Sequence, residues 1–261
     1  MFELQYFILG IVQGFTEFLP ISSSGHLVLV SELTDWQDQG LFTDVAVHVG
    51  TLLAVIIYLR NHIFSLFRNI LTFKISNNEN FINIIIATLP AVIVGYFIFD
   101  FVQNYFRDLK VVAITSIIFA ALLFFADHFK IKISKWEKMT YIQAFIIGLF
   151  QILAFIPGAS RAGVTITGAR LLGFDRSSAA IFSMLLSIPI ILASLILTSI
   201  DIVSNSEANI NLYQSIFAAF IACVTALLSI NLMMHFIQRF TFNIFIIYRV
   251  MLGFILLYFY A

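Results

Sequence analysis

The chain has 261 residues, of which 61% are hydrophobic and only 11% are charged, whereas a soluble domain carries about 25% charged residues. The formal net charge is zero, which gives no electrostatic basis for binding nucleic acid, and the single cysteine excludes a disulfide framework within the chain. The composition therefore indicates an all-α polytopic membrane protein surrounded by membrane lipids.

The predicted elements begin with an apolar stretch at 4–31 that is broken at Pro20. Three apolar segments follow, then a second broken stretch at 141–173, and then three more apolar segments. Because a transmembrane helix needs roughly 20 apolar residues, the six unbroken segments predict about six spans. They lie at 45–59, 81–99, 111–126, 177–200, 212–234 and 241–260.

Lysine and arginine are unevenly distributed among the connections between these segments. They follow the 45–59 and 111–126 spans, whereas the 201–207 connection contains acidic residues and no base. Because cytoplasmic loops carry an excess of Lys and Arg, we predict that 60–80 and 127–138 face the cytoplasm. The 201–207 connection is predicted to face the exterior.

The two broken stretches share one pattern, a G-x-x-Q segment followed by a P-x-x-S segment. The copies are Gly10 to Gln13 with Pro20 to Ser23, and Gly148 to Gln151 with Pro157 to Ser160. The spans that follow the two copies run in opposite directions, and inverted repeats with broken helices have their site near the middle of the bilayer. We therefore predict one membrane domain, 1–261, with an inverted-topology repeat of 1–126 and 139–261. The broken stretches are interpreted as two re-entrant helix–loop–helix hairpins.

Polar residues in the two breaks are costly at membrane depth. A charged residue there costs roughly 2.5–3.5 kcal/mol on insertion scales, which makes it a functional candidate. The first hairpin supplies Glu17 and His26, and the second supplies Arg161. Hydroxyl groups accompany them at Ser22, Ser23, Ser24, Ser160 and Thr165.

This combination of groups suits a phosphate ester or anhydride. A guanidinium can bind two phosphate oxygens at once, and the loop at 158–163 can direct backbone N–H groups at an anion where it enters a helix. A hydroxyl can act as a nucleophile when a base is in reach, and Glu17 is either that base or a ligand of a divalent metal. Simpler interpretations are helix capping by the serines and an ion pair between Glu17 and Arg161.

The motifs resemble those of the bacterial undecaprenyl-diphosphatases, also called bacitracin-resistance proteins. That family has a (Glu/Gln)-x-x-x-Glu segment, a Pro-x-Ser-Ser-(Ser/Thr)-Gly-His segment and a later Pro-Gly-x-Ser-Arg-Ser-x-x-Thr segment. The matching segments here are 13–17, 20–26 and 157–165, and the resemblance extends over essentially the whole chain. Gln13 stands where many members have glutamate, and Ala162 replaces the second serine of the last segment.

The resemblance implies an enzyme of the bacterial cytoplasmic (inner) membrane that converts undecaprenyl diphosphate to the monophosphate lipid carrier of cell-wall synthesis. It implies an active site open to the exterior and a divalent cation, calcium or magnesium, for which Gln13 and Glu17 are the candidate ligands. Ser23 would be the nucleophile and Glu17 its base or a metal ligand, while His26 would be the general acid or the attacking group. The phosphates would be bound by Ser22, Ser24, Ser160, Arg161 and Thr165, and Arg161 would also stabilise the transferred phosphoryl group.

Other classes of protein share some of these features. A transporter or lipid flippase can have the same inverted, broken-helix architecture, but it needs no serine beside a carboxylate and an imidazole. The unrelated phosphatidate-phosphatase type of membrane enzyme needs a histidine where Thr167 stands. A purely structural protein would not need ionisable residues in both hairpins. Arg249 interrupts the last span and is interpreted as a structural ion pair, and the sequence leaves open whether the protein forms a homodimer.

Overall fold

The computed structural model of the protein describes residues 2–34, 36, 41–71, 79–105, 109–129, 131–133, 135–205 and 212–260. These residues form eleven α-helices. The helices are α1 (Phe2–Thr16), α2 (Ser23–Leu33), α3 (Leu41–Tyr58), α4 (Arg60–Leu71), α5 (Glu79–Tyr105), α6 (Leu109–Asp127), α7 (Tyr141–Ile152), α8 (Arg161–Leu171), α9 (Arg176–Asn205), α10 (Leu212–Arg239) and α11 (Asn243–Tyr260). Parts of the connections predicted at 60–80, 127–138 and 201–207 lie outside the described residues.

Long apolar helices dominate the fold. Among the described residues, α5, α6, α9, α10 and α11 have the length and hydropathy to cross a membrane, and the bent pair α3 and α4 adds a sixth crossing if it counts as one span. The five long helices coincide with five of the predicted segments, and α3 coincides with the sixth, 45–59. The prediction of an all-α, multi-pass membrane protein is therefore confirmed.

The helix α4 was not predicted from the sequence. The prediction treats 60–80 as a connection, but its first part is helical and is bent by 72° from α3. One face of α4 buries Leu66, whereas Phe64 and Phe67 are exposed. The basic residues at its ends lower the hydropathy of the whole segment, although its apolar residues recur at a helical period.

Both predicted hairpins consist of two short helices separated by a break. In the first, α1 ends at Thr16 and α2 begins at Ser23, and in the second α7 and a short 3₁₀ turn precede α8. A Cβ on Gly10 of α1 would lie 2.7 Å from a main-chain oxygen of α10, and a Cβ on Gly148 of α7 would lie 2.6 Å from one of α5. Each hairpin thus packs closely against a helix of the opposite half of the chain. The division into repeats of 1–126 and 139–261 stays a prediction.

A buried ionic cluster lies at the C-terminal end of α8, the second helix of the second hairpin. The Asp127 carboxylate at the end of α6 accepts hydrogen bonds from Nε of Arg170 at 3.1 Å and from Nε of Arg176 at 2.8 Å. The side chains of Arg170 and Asp127 are each 1% exposed. Removing one partner of such a buried pair costs about 3–5 kcal/mol, so this cluster stabilises the junction of α6, α8 and α9.

Candidate active site

The two breaks have the same unusual backbone conformation immediately before their second helix. Ser22 precedes α2 with φ of 74°, and Ser160 precedes α8 with φ of 70°. Left-handed φ values in residues other than glycine cost about 1–3 kcal/mol and concentrate at functional sites. Because both breaks contain this feature at the same position, the two strained serines are candidates for the two halves of one site.

The residues at which α2 and α8 begin correct the alignment that the sequence pattern suggested. The shared P-x-x-S pattern pairs Ser23 with Ser160, but the helix starts pair Ser22 with Ser160 and Ser23 with Arg161. The reason is that Pro157 is separated from its serine cap by one residue more than Pro20 is. Ser160 caps α8 by accepting a hydrogen bond from the Gly163 N–H at 3.1 Å, whereas the Ser22 side chain makes no such cap.

Residues from both hairpins meet at the carboxylate of Glu17. Its Oε1 accepts a hydrogen bond from Nη2 of Arg161 at 2.7 Å, and its Oε2 accepts one from Ser23 Oγ at 2.8 Å and one from Gln13 Nε2 at 2.8 Å. The Glu17 and Arg161 side chains are 8% and 13% exposed. The first residue of α2 and the first residue of α8 therefore hold the same carboxylate.

A cavity of about 280 Å³ opens beside this carboxylate. The sequence-predicted residues that line it are Glu17, Ser22, Ser23, Ser24, Ser160 and Arg161. The N-terminal ends of α2 and α8 both reach the cavity through these residues, and helix N-termini favour bound anions. One cavity thus combines a guanidinium, several hydroxyls and two helix N-termini, which can donate to a phosphate group, with a carboxylate that can accept a proton or bind a cation.

Two further polar residues on α3, Asp44 and His48, line the same cavity and were not predicted as site residues. The His48 Nδ1 lies 2.7 Å from the main-chain oxygen of Asp44. A signal for them exists in the sequence, because His48 interrupts an apolar span and residues four apart lie on one face of a helix. Gln151, the counterpart of Gln13 in the repeat pattern, also lines the cavity.

The structure does not bring His26, Thr165 or Gln13 to the lining of this cavity. The imidazole of His26 lies 2.7 Å from the main-chain oxygen of Ser22 through Nδ1 and 2.6 Å from the Tyr248 hydroxyl through Nε2. The Thr165 hydroxyl lies 2.7 Å from that of Ser183 and is buried. His26 thus contacts the backbone of the first break, and Thr165 contacts the neighbouring helix α9.

A divalent cation at this site would need oxygen ligands near Glu17. Gln13 donates its amide N–H to Glu17, while its own Oε1 is buried and has no hydrogen-bond partner. Among the described residues, no three acidic, histidine or cysteine side chains cluster as a metal site. Mg²⁺ is commonly held by one or two carboxylates and substrate phosphates, and Glu17 and Asp44 line one cavity. The residues therefore fit a cation that is bound largely by the phosphates of a substrate.

Comparisons with known proteins agree with the resemblance in the motifs. The family model described as bacitracin resistance protein BacA matches residues 6–255. A protein of Alteromonas mediterranea named undecaprenyl-diphosphatase is 44% identical over 264 aligned positions, which cover 99% of this chain and 98% of the relative. A protein of Saccharophagus degradans with the same name is also 44% identical, over 94% of this chain and 93% of the relative. The chain is a member of the bacitracin resistance protein BacA family.

Proposed function

We propose that this protein is a membrane phosphatase that hydrolyses undecaprenyl diphosphate to undecaprenyl phosphate and inorganic phosphate. The single observation that carries the proposal is the Glu17 carboxylate held between Ser23 of one hairpin and Arg161 of the other, in one cavity. The names of the two relatives support the choice of substrate. In the bacterial cytoplasmic membrane, this reaction would regenerate the lipid carrier of cell-wall synthesis, with the cavity open to the exterior.

The proposed reaction begins with attack by Ser23 Oγ on the terminal phosphorus of the diphosphate. The hydroxyl already donates its hydrogen bond to Glu17 at 2.8 Å, so the proton passes to that carboxylate as the new P–O bond forms. The bond to the bridging oxygen breaks, and undecaprenyl phosphate leaves with the electron pair. Water then attacks the phosphoserine, which releases inorganic phosphate and returns the proton to Ser23.

Arg161 would stabilise the charge that spreads over the transferred phosphoryl group, which is the main requirement of this class of reaction. The hydroxyls of Ser22, Ser24 and Ser160 line the cavity where the phosphate oxygens would lie. Glu17 and Asp44 would hold a bound Mg²⁺ or Ca²⁺ together with the diphosphate, whereas the predicted ligand Gln13 is not among the residues that line the cavity. The cation would neutralise negative charge on the leaving group. In this proposal His26 and Thr165 orient the site rather than contact the substrate.

The isoprenoid tail needs an apolar path that is continuous with the polar cavity. A second, apolar cavity of about 80 Å³ lies between α5 and α9 and shares Ala91, Phe155, Ile190 and Ser194 with the first. Gly95 of α5 lines it, and a Cβ at this position would lie 2.5 Å from the Phe155 ring. We therefore propose that the tail leaves the active site between α5 and α9, past Gly95 and Phe155.

The direct test of the proposed function is phosphate release by the purified protein from undecaprenyl diphosphate in detergent. We expect release in the presence of Mg²⁺ or Ca²⁺, a loss of activity in EDTA, and recovery when the metal is restored, because the cation is bound through the substrate. Full activity in EDTA would remove the cation from the proposal. If no metal condition gave phosphate release, a transporter or flippase would become the better interpretation.

Replacing Gly95 with valine tests the tail path. The added side chain must displace the Phe155 ring, so we expect KM for undecaprenyl diphosphate to rise about tenfold, which corresponds to about 1.4 kcal/mol. KM for farnesyl diphosphate should rise less, since its tail is shorter. The control is Phe97→Ala, which removes a side chain that is 79% exposed on the same helix. Equal KM values for the Gly95 variant and the wild type would place the tail elsewhere.

A further inference from the structure

Arg249 lies in the middle of α11 and is one of the largest fully buried side chains of the described part of the protein, with 0% exposure. A buried cation carries a desolvation cost of several kcal/mol unless it finds compensating partners. The predicted ion pair is wrong, because none of the described acidic side chains forms a salt bridge with Arg249. The partners of this guanidinium are main-chain oxygens.

These oxygens come from both breaks. Nη1 of Arg249 donates to the oxygen of Pro20 at 3.4 Å, and Nη2 donates to those of Gly158 at 2.7 Å and Ala159 at 3.0 Å. A break in a helix leaves carbonyl groups without helical partners, and at membrane depth no water is available to bind them. One guanidinium therefore satisfies carbonyl groups from two hairpins that are far apart in the sequence.

The position of these carbonyls connects Arg249 to the candidate active site. Ala159 directly precedes the strained cap Ser160, and Pro20 lies two residues before the equivalent cap Ser22. The helices that follow begin with the two residues that hold Glu17, namely Arg161 and Ser23. Arg249 is not among the residues that line the cavity, so any effect on the reaction passes through the backbone of the breaks.

The local packing leaves room for this guanidinium only because Gly163 has no side chain. A Cβ on Gly163, in the first turn of α8, would lie 2.9 Å from Nη1 of Arg249. A lysine at position 249 could not replace the contact fully, since its single ammonium group lacks the planar fork that reaches two groups of acceptors at once. The two terminal nitrogens of the arginine side chain thus reach carbonyl groups of both breaks at once.

We propose that Arg249 is a positioning residue that ties the two breaks together and so sets the distance between the serine and the guanidinium that act on one phosphate. This inference rests on the proposed function, because its effect is measured in phosphate release. It assigns to the last helix a role in catalysis without contact with the substrate. It also predicts that loss of the tie affects the chemical step more than the binding of the lipid.

The test compares Arg249→Met and Arg249→Lys with matched substitutions of Arg170. Arg170 is also a buried arginine that donates to main-chain oxygens, but it lies in the Asp127 cluster rather than at the breaks. For Arg249→Met we expect kcat to fall about 100-fold with KM within about threefold of the wild type, as expected for a lost positioning contact. The kcat of Arg249→Lys should lie between that of the wild type and that of Arg249→Met. The Arg170 variants should lower the melting temperature while the folded protein keeps a kcat close to the wild-type value.

A double-mutant cycle separates positioning from direct contact with the substrate. If Arg249 acts through the placement of Arg161, the loss caused by Arg249→Met should be much smaller in an Arg161→Lys background than in the wild type. Losses that multiply, together with a rise in KM, would indicate that Arg249 contacts the substrate and would overturn the inference. A wild-type kcat for Arg249→Met would also overturn it. If Arg249→Met does not fold, the inference depends on Arg249→Lys, and a wild-type kcat for that variant would overturn it.

Failure of this inference differs from failure of the proposed function. An inactive wild-type protein under every metal condition removes the proposed function itself. An active wild-type protein with equally active Arg249 variants removes only the positioning role.

Discussion

Replacing Arg161 with alanine should lower kcat/KM for undecaprenyl diphosphate by about 10³- to 10⁵-fold, the range that a catalytic arginine contributes in phosphoryl transfer. The guanidinium lies at the N-terminal end of α8 beside Glu17 and lines the cavity. No other arginine and no lysine is among the described residues of that lining, so no second permanent cation can replace it. The measurement is steady-state phosphate release by the purified variant. A loss smaller than tenfold would remove Arg161 from the catalytic role.

Two control variants separate catalysis from stability. Arg176→Ala removes another arginine of a partly buried ion pair, one that is not among the residues lining the cavity, and it should lower stability but retain kcat/KM. The double variant Glu17→Gln with Arg161→Ala removes both charges, so it should recover the stability that an unpaired Glu17 would lose. It should remain inactive, since it restores neither the base nor the guanidinium.

Replacing Ser23 with alanine should lower kcat by about 10⁴-fold or more, as loss of an attacking hydroxyl does in other hydrolases that form a covalent intermediate. Ser23 is the hydroxyl that donates to Glu17, at 2.8 Å. The substitution removes only one oxygen, so the melting temperature should change little. A single-turnover experiment in detergent, with the rate of undecaprenyl phosphate formation as the readout, measures the attack by Ser23 directly.

The neighbouring residue Ser24 provides the matched control for Ser23. It lines the same cavity but has no hydrogen bond to Glu17 among those described, and its hydroxyl lies 3.4 Å from that of Ser22. We expect Ser24→Ala to raise KM severalfold with a small change in kcat. If Ser23→Ala retained a tenth of the wild-type kcat, the nucleophile would be another group, and attack by water or by an imidazole would have to be considered.

The sequence predicted the membrane spans and both breaks because hydropathy and proline positions are local properties of the chain. Glu17 and Arg161 were identified from their cost at membrane depth, which requires no knowledge of the packing. The roles predicted for the individual site residues remain to be tested by the substitutions above. The sequence alone therefore identified the polar residues of the two breaks and predicted that the breaks belong to one site.

Other features depend on packing and could not be read from the pattern. The direction of a side chain follows from the rotation of its helix, which is why His26 contacts Tyr248 while Asp44 and His48 line the cavity. The partners of Arg249 are main-chain oxygens, which have no signature in the sequence. The single-residue difference in length between the breaks shifted the alignment of the serines, since a residue pattern does not report where a helix begins.

The ion pair between Glu17 and Arg161 implies how the protein tolerates its own charges between turnovers. The acid and the guanidinium neutralise each other, so this largely buried pair adds no net charge to the pocket. In the proposed reaction, an arriving diphosphate would compete for the guanidinium, and the carboxylate that loses its cation would then face the serine hydroxyl. Substrate arrival and activation of the nucleophile would thus be one exchange of partners, and a hydroxyl-bearing lipid without phosphate could not trigger it.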